Sequence, residues 1–408
     1  MKKELSFGEF IADLLKRLDI SPSQFEAAKS HYEAVAECLA DGGVGDDIYV
    51  QGSFSYGTVV RPFKGGKDAD FDIDLVSQMA KEKSEADPKA LKANVKKCIL
   101  KSPVHADLLD EDEGRRCWTL NYAPKDGIGF HMDILPCVNE SSEKIRDIIK
   151  SHVDPQYANT AIAITDKDKN TSSYSWASGN ARGLASWFKE INTPYIYNSS
   201  RAQQEWFVEN GAYASIDEVP EQLLRSPLQR VIQLLKRHRD CKFCDTPNEE
   251  NKPISMVITI LAAKIAEHKA MYTATVFELL SAFIDEVTCF SALLDDNYEF
   301  PAKYLNANIL TRNRDGWYLP NPVNPYENFA ERWIEDNHAK ARAFFQWISW
   351  LKTDMDFDGK DSGTLFESLQ ASFGLDAVSG VYRALDLNPI KVPAIIMPSH
   401  NPPRPYRA

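Results

Sequence analysis

The sequence predicts an α+β chain of two lobes: a mixed-sheet lobe over residues 1–200 and a helical lobe over residues 201–388, with a proline-rich extended tail over 389–408. Three observations carry this. The chain has 408 residues, more than a single hydrophobic core usually organises. Its first half alternates one helical pattern with short apolar strand patterns. Its second half carries almost only 3.6-residue periodicity.

Residues 21–39 open as Ser21-Pro22-Ser23-Gln24, which reads as a capping box with proline in the first turn, and continue with Phe25, Ala28, Tyr32 and Val35 on one side. Asp41-Gly42-Gly43 ends that helix, and Ile48-Tyr49-Val50 leads as a strand into the small-residue turn Gln51-Gly52-Ser53-Phe54-Ser55-Tyr56-Gly57-Thr58. Strands are expected over Phe71–Val76, Cys117–Tyr122 and Phe130–Leu135, the last closed by Pro136. Beyond Ala202 the pattern predicts helices over Leu223–Arg239, Ile254–Glu267, Thr275–Leu294 and Glu327–Leu351. Pro389–Ala408 has no helical period, which predicts an extended or disordered arm.

Composition narrows the class. Apolar residues make up 43% and aromatics 11%, enough for a substantial core. With 47 Lys and Arg against 59 Asp and Glu the formal charge is −12, which disfavours sequence-independent binding to RNA or DNA. No apolar run approaches the roughly 20 residues a membrane helix needs, and Met1-Lys2-Lys3-Glu4-Leu5 does not open a signal peptide. Seven cysteines, an odd number in apolar or helical contexts, fit reduced thiols in a cytoplasm.

The chemistry-bearing residues cluster around one turn and one strand. In Asp68-Ala69-Asp70-Phe71-Asp72-Ile73-Asp74-Leu75 the acids stand at alternate positions. The apolar partners Phe71, Ile73 and Leu75 come late in the run, so Asp72 and Asp74 are the pair held on a buried strand. Their α-carbons should lie roughly 6–7 Å apart on one face. An EF-hand is excluded, because its glycine and glutamate positions hold Ile73 and Met79. A third acid, Asp133, sits between Met132 and Ile134 in an apolar strand, where an unpaired carboxylate would cost several kcal/mol. His131 shares its parity and reads as a partly exposed bystander. Three carboxylates beside a phosphate-sized turn suit two Mg²⁺ ions about 3.5–4 Å apart, with Mn²⁺ as a possible substitute, and a nucleoside triphosphate. That is the layout of a nucleotidyltransferase, with Asp72, Asp74 and Asp133 as metal ligands and Asp133 also as proton acceptor.

With those residues in place, the sequence resembles the bacterial cGAS/DncV-like nucleotidyltransferases (CD-NTases) of the polymerase-β-like superfamily. The resemblance rests on Gln51–Thr58, Phe71–Leu75 and Met132-Asp133-Ile134-Leu135-Pro136. It continues through Ser178-Gly179-Asn180 with Trp187-Phe188, Leu234-Leu235-Lys236-Arg237, Pro253-Ile254-Ser255, Asn321-Pro322-Val323, and Glu327-Asn328-Phe329 with Trp333. It implies a polymerase-β-like lobe with a helical lobe completing the nucleotide site. Gly52 and Ser53 would hold donor phosphate, Lys236 and Ser255 the triphosphate, and Gln51 and Tyr56 would line an acceptor pocket. Two departures stand out: Met256 occupies the position of a base-stacking aromatic in animal relatives, and Lys64-Gly65-Gly66-Lys67 lengthens the approach to the acids as a flap or an idle loop. The implied activity is synthesis of a cyclic di- or trinucleotide from NTPs, ATP or GTP among them, that activates an effector in antiphage (CBASS-type) signalling. A ubiquitin-like conjugation apparatus acting on the C-terminal tail is a further implied partner.

Other signals are weaker. Cys241-Lys242-Phe243-Cys244 with His238 falls short of four zinc ligands and reads as ordinary thiols. Arg225, Arg230, Lys236, Arg237 and Arg239 concentrate positive charge and read as a triphosphate wall rather than an RNA track. The rival activities are template-independent transfer of nucleotides onto RNA or protein, and a non-catalytic nucleotide-binding scaffold. Intact Asp72, Asp74 and Asp133 weigh against the scaffold.

Overall fold

The computed structural model describes residues 7–385 apart from 126–127, 169–170, 198, 200–203, 206–207, 210, 212–213, 216–223, 296–308 and 357–361. The expected tail over 389–408, the Met1–Leu5 segment and the Ala202 boundary lie outside the described residues.

Helix α1 (Phe7–Leu18) precedes α2 (Pro22–Asp41), whose capping box forms as its sequence dictates: Ser21 Oγ accepts from Gln24 N, and Gln24 accepts from Ser21 N at 2.8 Å. Strand β1 (Asp47–Gln51) runs into α3 (Gly52–Tyr56), so the predicted turn is one short turn of helix, closed by Gly57 in the left-handed region. The insert is a small hairpin, β2 (Phe63–Lys64) and β3 (Lys67–Asp68), turning on Gly65 and Gly66 at φ 58° and 76°. Then follow β4 (Phe71–Glu82), α4 (Pro88–Lys101), β5 (Trp118–Lys125) and β6 (Ile128–Asn139). Helices α5 (Ser142–Lys150) and α6 (Pro155–Ala158) lead to β7 (Ile162–Lys167), β8 (Tyr174–Gly179) and α7 (Ala181–Tyr197).

Six strands pair in the order β1-β4-β6-β7-β8 with β5 added to β6; β4 and β6 are parallel and the other pairs antiparallel. Side-chain parity then divides the sheet. Phe71, Ile73 and Leu75 of β4 and Phe130, Met132 and Ile134 of β6 share one apolar cluster with α2 and α4. Asp72, Asp74 and Asp133 are therefore turned to the opposite face. Burying each such Ile, Leu or Phe is worth about 1.5–3 kcal/mol, so a one-residue slip that exposed this set is prohibitive.

Pro136 does not close its strand: β6 continues to Asn139. Pairing with β5 ends at Ile134 and pairing with β7 begins at Cys137, so Pro136 sits in the gap between two ladders on that side while pairing with Ser77 of β4 on the other.

The second half is helical except where it returns to the sheet. Its elements are α8 (Pro227–Phe243), α9 (Ser255–Lys269), α10 (Val276–Cys289), the hairpins β9 (Thr311–Asn313)/β10 (Gly316–Tyr318) and β11 (Pro320–Asn321)/β12 (Asn324–Asn328), then α11 (Glu335–Asp354), α12 (Ser362–Phe373) and α13 (Leu375–Ala384). The helix expected from Glu327 thus starts later: Glu327 and Asn328 are strand, and Trp333 lies in a 3₁₀ turn. The largest apolar cluster draws on both halves, joining Phe10, Leu14 and Leu18 of α1 and Trp187 and Phe188 of α7 to the helices beyond 226.

Arg237 ties the insert to α8. Its side chain is 1% exposed, pairs with Asp68 at 2.7 Å, and donates to the carbonyls of Phe373 at 2.9 Å and Arg61 at 3.0 Å. The guanidinium also lies 4.7 Å from the Phe63 ring centre. Arg237→Ala will lower stability by about 3–5 kcal/mol, because it strands a carboxylate and two carbonyls. Thermal and urea unfolding check this; a loss under about 1 kcal/mol would mean the hairpin is not anchored there.

Candidate active site

The strand register brings the three acids together. Asp74 pairs across the sheet with Asp133 on the neighbouring parallel strand and with Gln51 on the other side, while Asp72 pairs with His131. Adjacent strands are about 4.8 Å apart, so the carboxylates share one small patch of the sheet face. Asp68 and Asp70 are engaged elsewhere: Asp68 with Arg237, and Asp70 accepting from Gly129 N at 2.7 Å. His131 is half-buried, hydrogen-bonded to Asn121 at 2.7 Å and 3.8 Å from Asp70.

A cavity of about 430 Å³ lies against this patch, lined by Gly52, Ser53, Asp72, Asp74 and Asp133 from the sheet lobe. Facing them are Lys236, Arg239, Lys252, Ser255 and Met256. The site therefore spans the cleft between sheet and helices. Gly52 has φ 64°, and a Cβ there would collide with the Asp74 carboxylate. Only glycine lets the backbone approach that acid.

Burial raises Asp74 to about 7, reinforced by Asp133 and Asp72 and opposed by Lys236. Asp72 is raised in the same way, by burial first and Asp133 second. Solvent reaches Asp72 through the open mouth while protein surrounds its other sides. Lys236, 3% exposed, is pushed down to about 7 by burial and Arg239, against Asp240 and Asp74. Its Nζ donates to Thr58 Oγ1 at 3.0 Å and to Thr58 O at 3.2 Å.

The acids fit divalent cations of the Mg²⁺ type. They are hard oxygen donors in a place where burial and the neighbouring carboxylates raise Asp72 and Asp74, which a cation would relieve. Among the described residues no three His, Cys, Asp or Glu side chains already form a ligand set. Asp133 Oδ1 instead accepts from Thr119 Oγ1 at 2.5 Å. Mg²⁺ commonly binds through one or two carboxylates together with substrate phosphates, so a partial protein set is what such an ion needs.

The basic concentration on and just before α8 is mostly structural. Arg230 pairs with Asp19 at 2.6 Å, Arg225 donates to Leu224 O at 2.9 Å, and Arg237 holds the insert. Lys236 and Arg239 alone of the five line the cleft. Ser255 is the first residue of α9 rather than its cap, and its Oγ accepts from Arg239 at 3.1 Å. Zinc finds no set at Cys241 and Cys244, since His238 is spent on Asp354 and on Trp347, both at 3.0 Å.

A second cavity of about 200 Å³ shares Gly52, Tyr56, Asp74 and Met256 with the first. Gln51, Arg116, Asn180, Asn321, Glu327 and Phe329 also line it. Asn180 fixes its back wall by capping α7: its Oδ1 accepts from Gly183 N at 3.0 Å, and its Nδ2 donates to the carbonyls of Tyr157 and Val323. The sequence assigns no site role to Arg116, Thr119 or Lys252, places Arg239 only within a basic group, and quotes Glu327 only within a family segment. Thr119 reaches the site through sheet register, Glu327 through hairpin placement, Arg239 from α8 and Lys252 from the segment before α9.

Fold and site together define a nucleotidyltransferase. Residues 47–137 match the family model described as cyclic GMP-AMP synthase DncV-like, nucleotidyltransferase domain. The chain is 28% identical over 347 residues to a c-di-GMP synthase of Roseivirga ehrenbergii, spanning 84% of this chain and 76% of that protein. It is 23% identical over 337 residues to the cyclic dinucleotide synthase CdnG of Bradyrhizobium diazoefficiens, spanning 80% and 70%. The solved structure of that organism's CD-NTase CdnG in complex with GTP superposes with a TM-score of 0.63 at 20% identity, over 93% of this chain and 99% of that one. Residues 47–137 thus carry the nucleotidyltransferase domain of that family model, and both relatives are cyclic dinucleotide synthases. No helix of the described residues is long and apolar enough to cross a membrane.

Proposed function

We propose that the protein joins nucleoside triphosphates, GTP or ATP among them, into a cyclic di- or trinucleotide. The observation that carries this is the pair of cavities meeting at Gly52, Tyr56, Asp74 and Met256: one is lined by three acids and by Lys236, Arg239 and Lys252, and the other has a largely apolar floor. A donor triphosphate in the first and an acceptor nucleoside in the second would meet over Asp74.

Lys236, Arg239, Lys252 and Ser255 bind the triphosphate and orient its α-phosphate, with Gly52 and Ser53 closing the opposite side. Asp72, Asp74 and Asp133 would hold two Mg²⁺ ions, which Mn²⁺ can replace, and which when bound neutralise phosphate charge and lower the pKa of a ribose hydroxyl. Asp133, oriented by Thr119, takes that hydroxyl's proton. Gln51 and Tyr56 position the acceptor. The hydroxyl oxygen bonds to the α-phosphorus as the bond to the β-phosphate breaks and pyrophosphate leaves, and further rounds on the linear product close the ring with release of another pyrophosphate each time. The resemblance to CD-NTases supports a signalling role in which the product activates an effector during phage infection, with ubiquitin-like conjugation enzymes as a further partner.

Incubation with α-labelled NTPs and Mg²⁺ or Mn²⁺, followed by phosphatase and mass analysis, tests the reading. Phosphatase-resistant cyclic products are expected. Label found only in polymer or on protein would replace cyclisation by terminal transfer.

A further inference from the structure

The second cavity contains a carboxylate that the reaction steps above do not use. Glu327, on β12, faces it beside Arg116 and Tyr56. Its Oε2 accepts a hydrogen bond from Asn321 Nδ2 at 2.7 Å, and Asn321 is itself fixed, being 1% exposed with its Oδ1 accepting from Val323 N at 3.0 Å. The carboxylate plane is thus set by the β11/β12 hairpin. That hairpin is in turn held to the sheet by Asn324 Nδ2 donating to Ser178 Oγ at 2.9 Å. Glu327 Oε1 has no hydrogen-bond partner among the described residues. Neither does the Tyr56 hydroxyl beside it. Arg116, which also lines the cavity, donates Nε and Nη2 to Asp166 at 3.4 and 3.2 Å, so Nη1 is not used in that pair.

Burial pushes Glu327 up while the Asn321 hydrogen bond and the Arg116 charge oppose it; in its ionised form the fixed carboxylate offers acceptors only. Guanine is the one common base whose pairing edge presents two adjacent N–H donors, N1–H and the N2 amino group, next to an O6 acceptor. Adenine and cytosine would set a ring-nitrogen lone pair against the carboxylate. Uracil offers one N–H between two carbonyls. A site built to accept two hydrogen bonds rejects bases that leave it unpaired or repelled. Apolar walls from Leu135, Leu184 and Phe329 would sandwich a flat ring.

We propose that Glu327, oriented by Asn321, selects guanine as the base of the acceptor nucleotide, with Arg116 donating to O6. The proposal deepens the cyclase reading and rests on it for the name acceptor; base selection at this cavity is separately measurable.

The test is a competition of equimolar ATP, GTP, CTP and UTP with wild-type protein and Glu327→Gln, reading the acceptor base of the linear first product by mass and nuclease mapping. Gln is isosteric but presents one donor and one acceptor, the complement of adenine. Wild type is expected to take guanine. Glu327→Gln should lower the GTP-over-ATP ratio of acceptor kcat/KM by about 10- to 100-fold while keeping its Tm. An unchanged ratio in a folded variant, or a wild type indifferent to guanine, overturns the proposal. If wild type makes no linked product, the cyclase reading fails instead. Equilibrium binding of GTP and ATP to both proteins then decides base selection: narrowing of the GTP preference in Glu327→Gln supports it, and equal affinities in both proteins overturn it.

Discussion

Replacing Asp74 by Asn will lower nucleotide turnover by about 10³-fold or more and will also raise the melting temperature of the metal-free protein at pH 8. Both effects come from one carboxylate. Asp74 stands in register with Asp133 and two residues from Asp72, and burial with these neighbours raises it to about 7. An unfolded aspartate titrates near 3.9. A folded-state pKa above the unfolded one contributes stability that is fully present below about pH 4 and is lost as pH rises through 7. At pH 8 the wild type therefore carries an ionised, poorly solvated acid that Asn lacks. The gain should be about 1–4 kcal/mol, a few degrees in Tm, and should shrink on acidification toward pH 5. Added Mg²⁺ with nucleotide should stabilise wild type and leave Asp74→Asn nearly unmoved. Retained turnover, or a variant less stable than wild type at pH 8, would remove Asp74 from its proposed place as a metal ligand.

Gly52→Ala is the second large effect expected. The residue has φ 64°, where an alanine costs about 1–2 kcal/mol. Its new Cβ would also collide with the Asp74 carboxylate. Either the acid turns away or the Gly52–Tyr56 turn shifts, and both misplace groups lining the cleft. The expected result is a loss of about 10²-fold in kcat with a Tm drop of only a few degrees, since the strain is local. Measuring kcat and Tm together separates this from unfolding. An alanine variant with wild-type kcat would show that close approach of backbone and acid is not needed.

What was legible followed strict local rules. Ser21-Pro22-Ser23-Gln24 predicted a capping box that the structure contains at the same residues. The same signature, Ser226-Pro227-Leu228-Gln229, caps α8, so the helix starts at Pro227 rather than at Leu223 where apolar periodicity alone places it. The parity of Phe71, Ile73 and Leu75 against Asp72 and Asp74 was readable because a strand has two faces and only one could be apolar. The triphosphate wall misled for the opposite reason. Helical spacing says which arginines share a face but not what waits opposite, and Arg230 and Arg237 met Asp19 and Asp68 from distant segments.

The amino-acid order by itself determined the local elements and which acids had to share a sheet face, because both follow from periodicity and from the cost of burying the wrong side. Tertiary structure alone decided the rest: that Asp133 aligns with Asp74, that Thr119 holds Asp133, and that a hairpin near residue 324 brings Asn321 and Glu327 to a cavity begun at Gln51. Those neighbours lie far apart along the chain, and contact between them depends on strand register and hairpin docking. No spacing in a one-dimensional string encodes such placement.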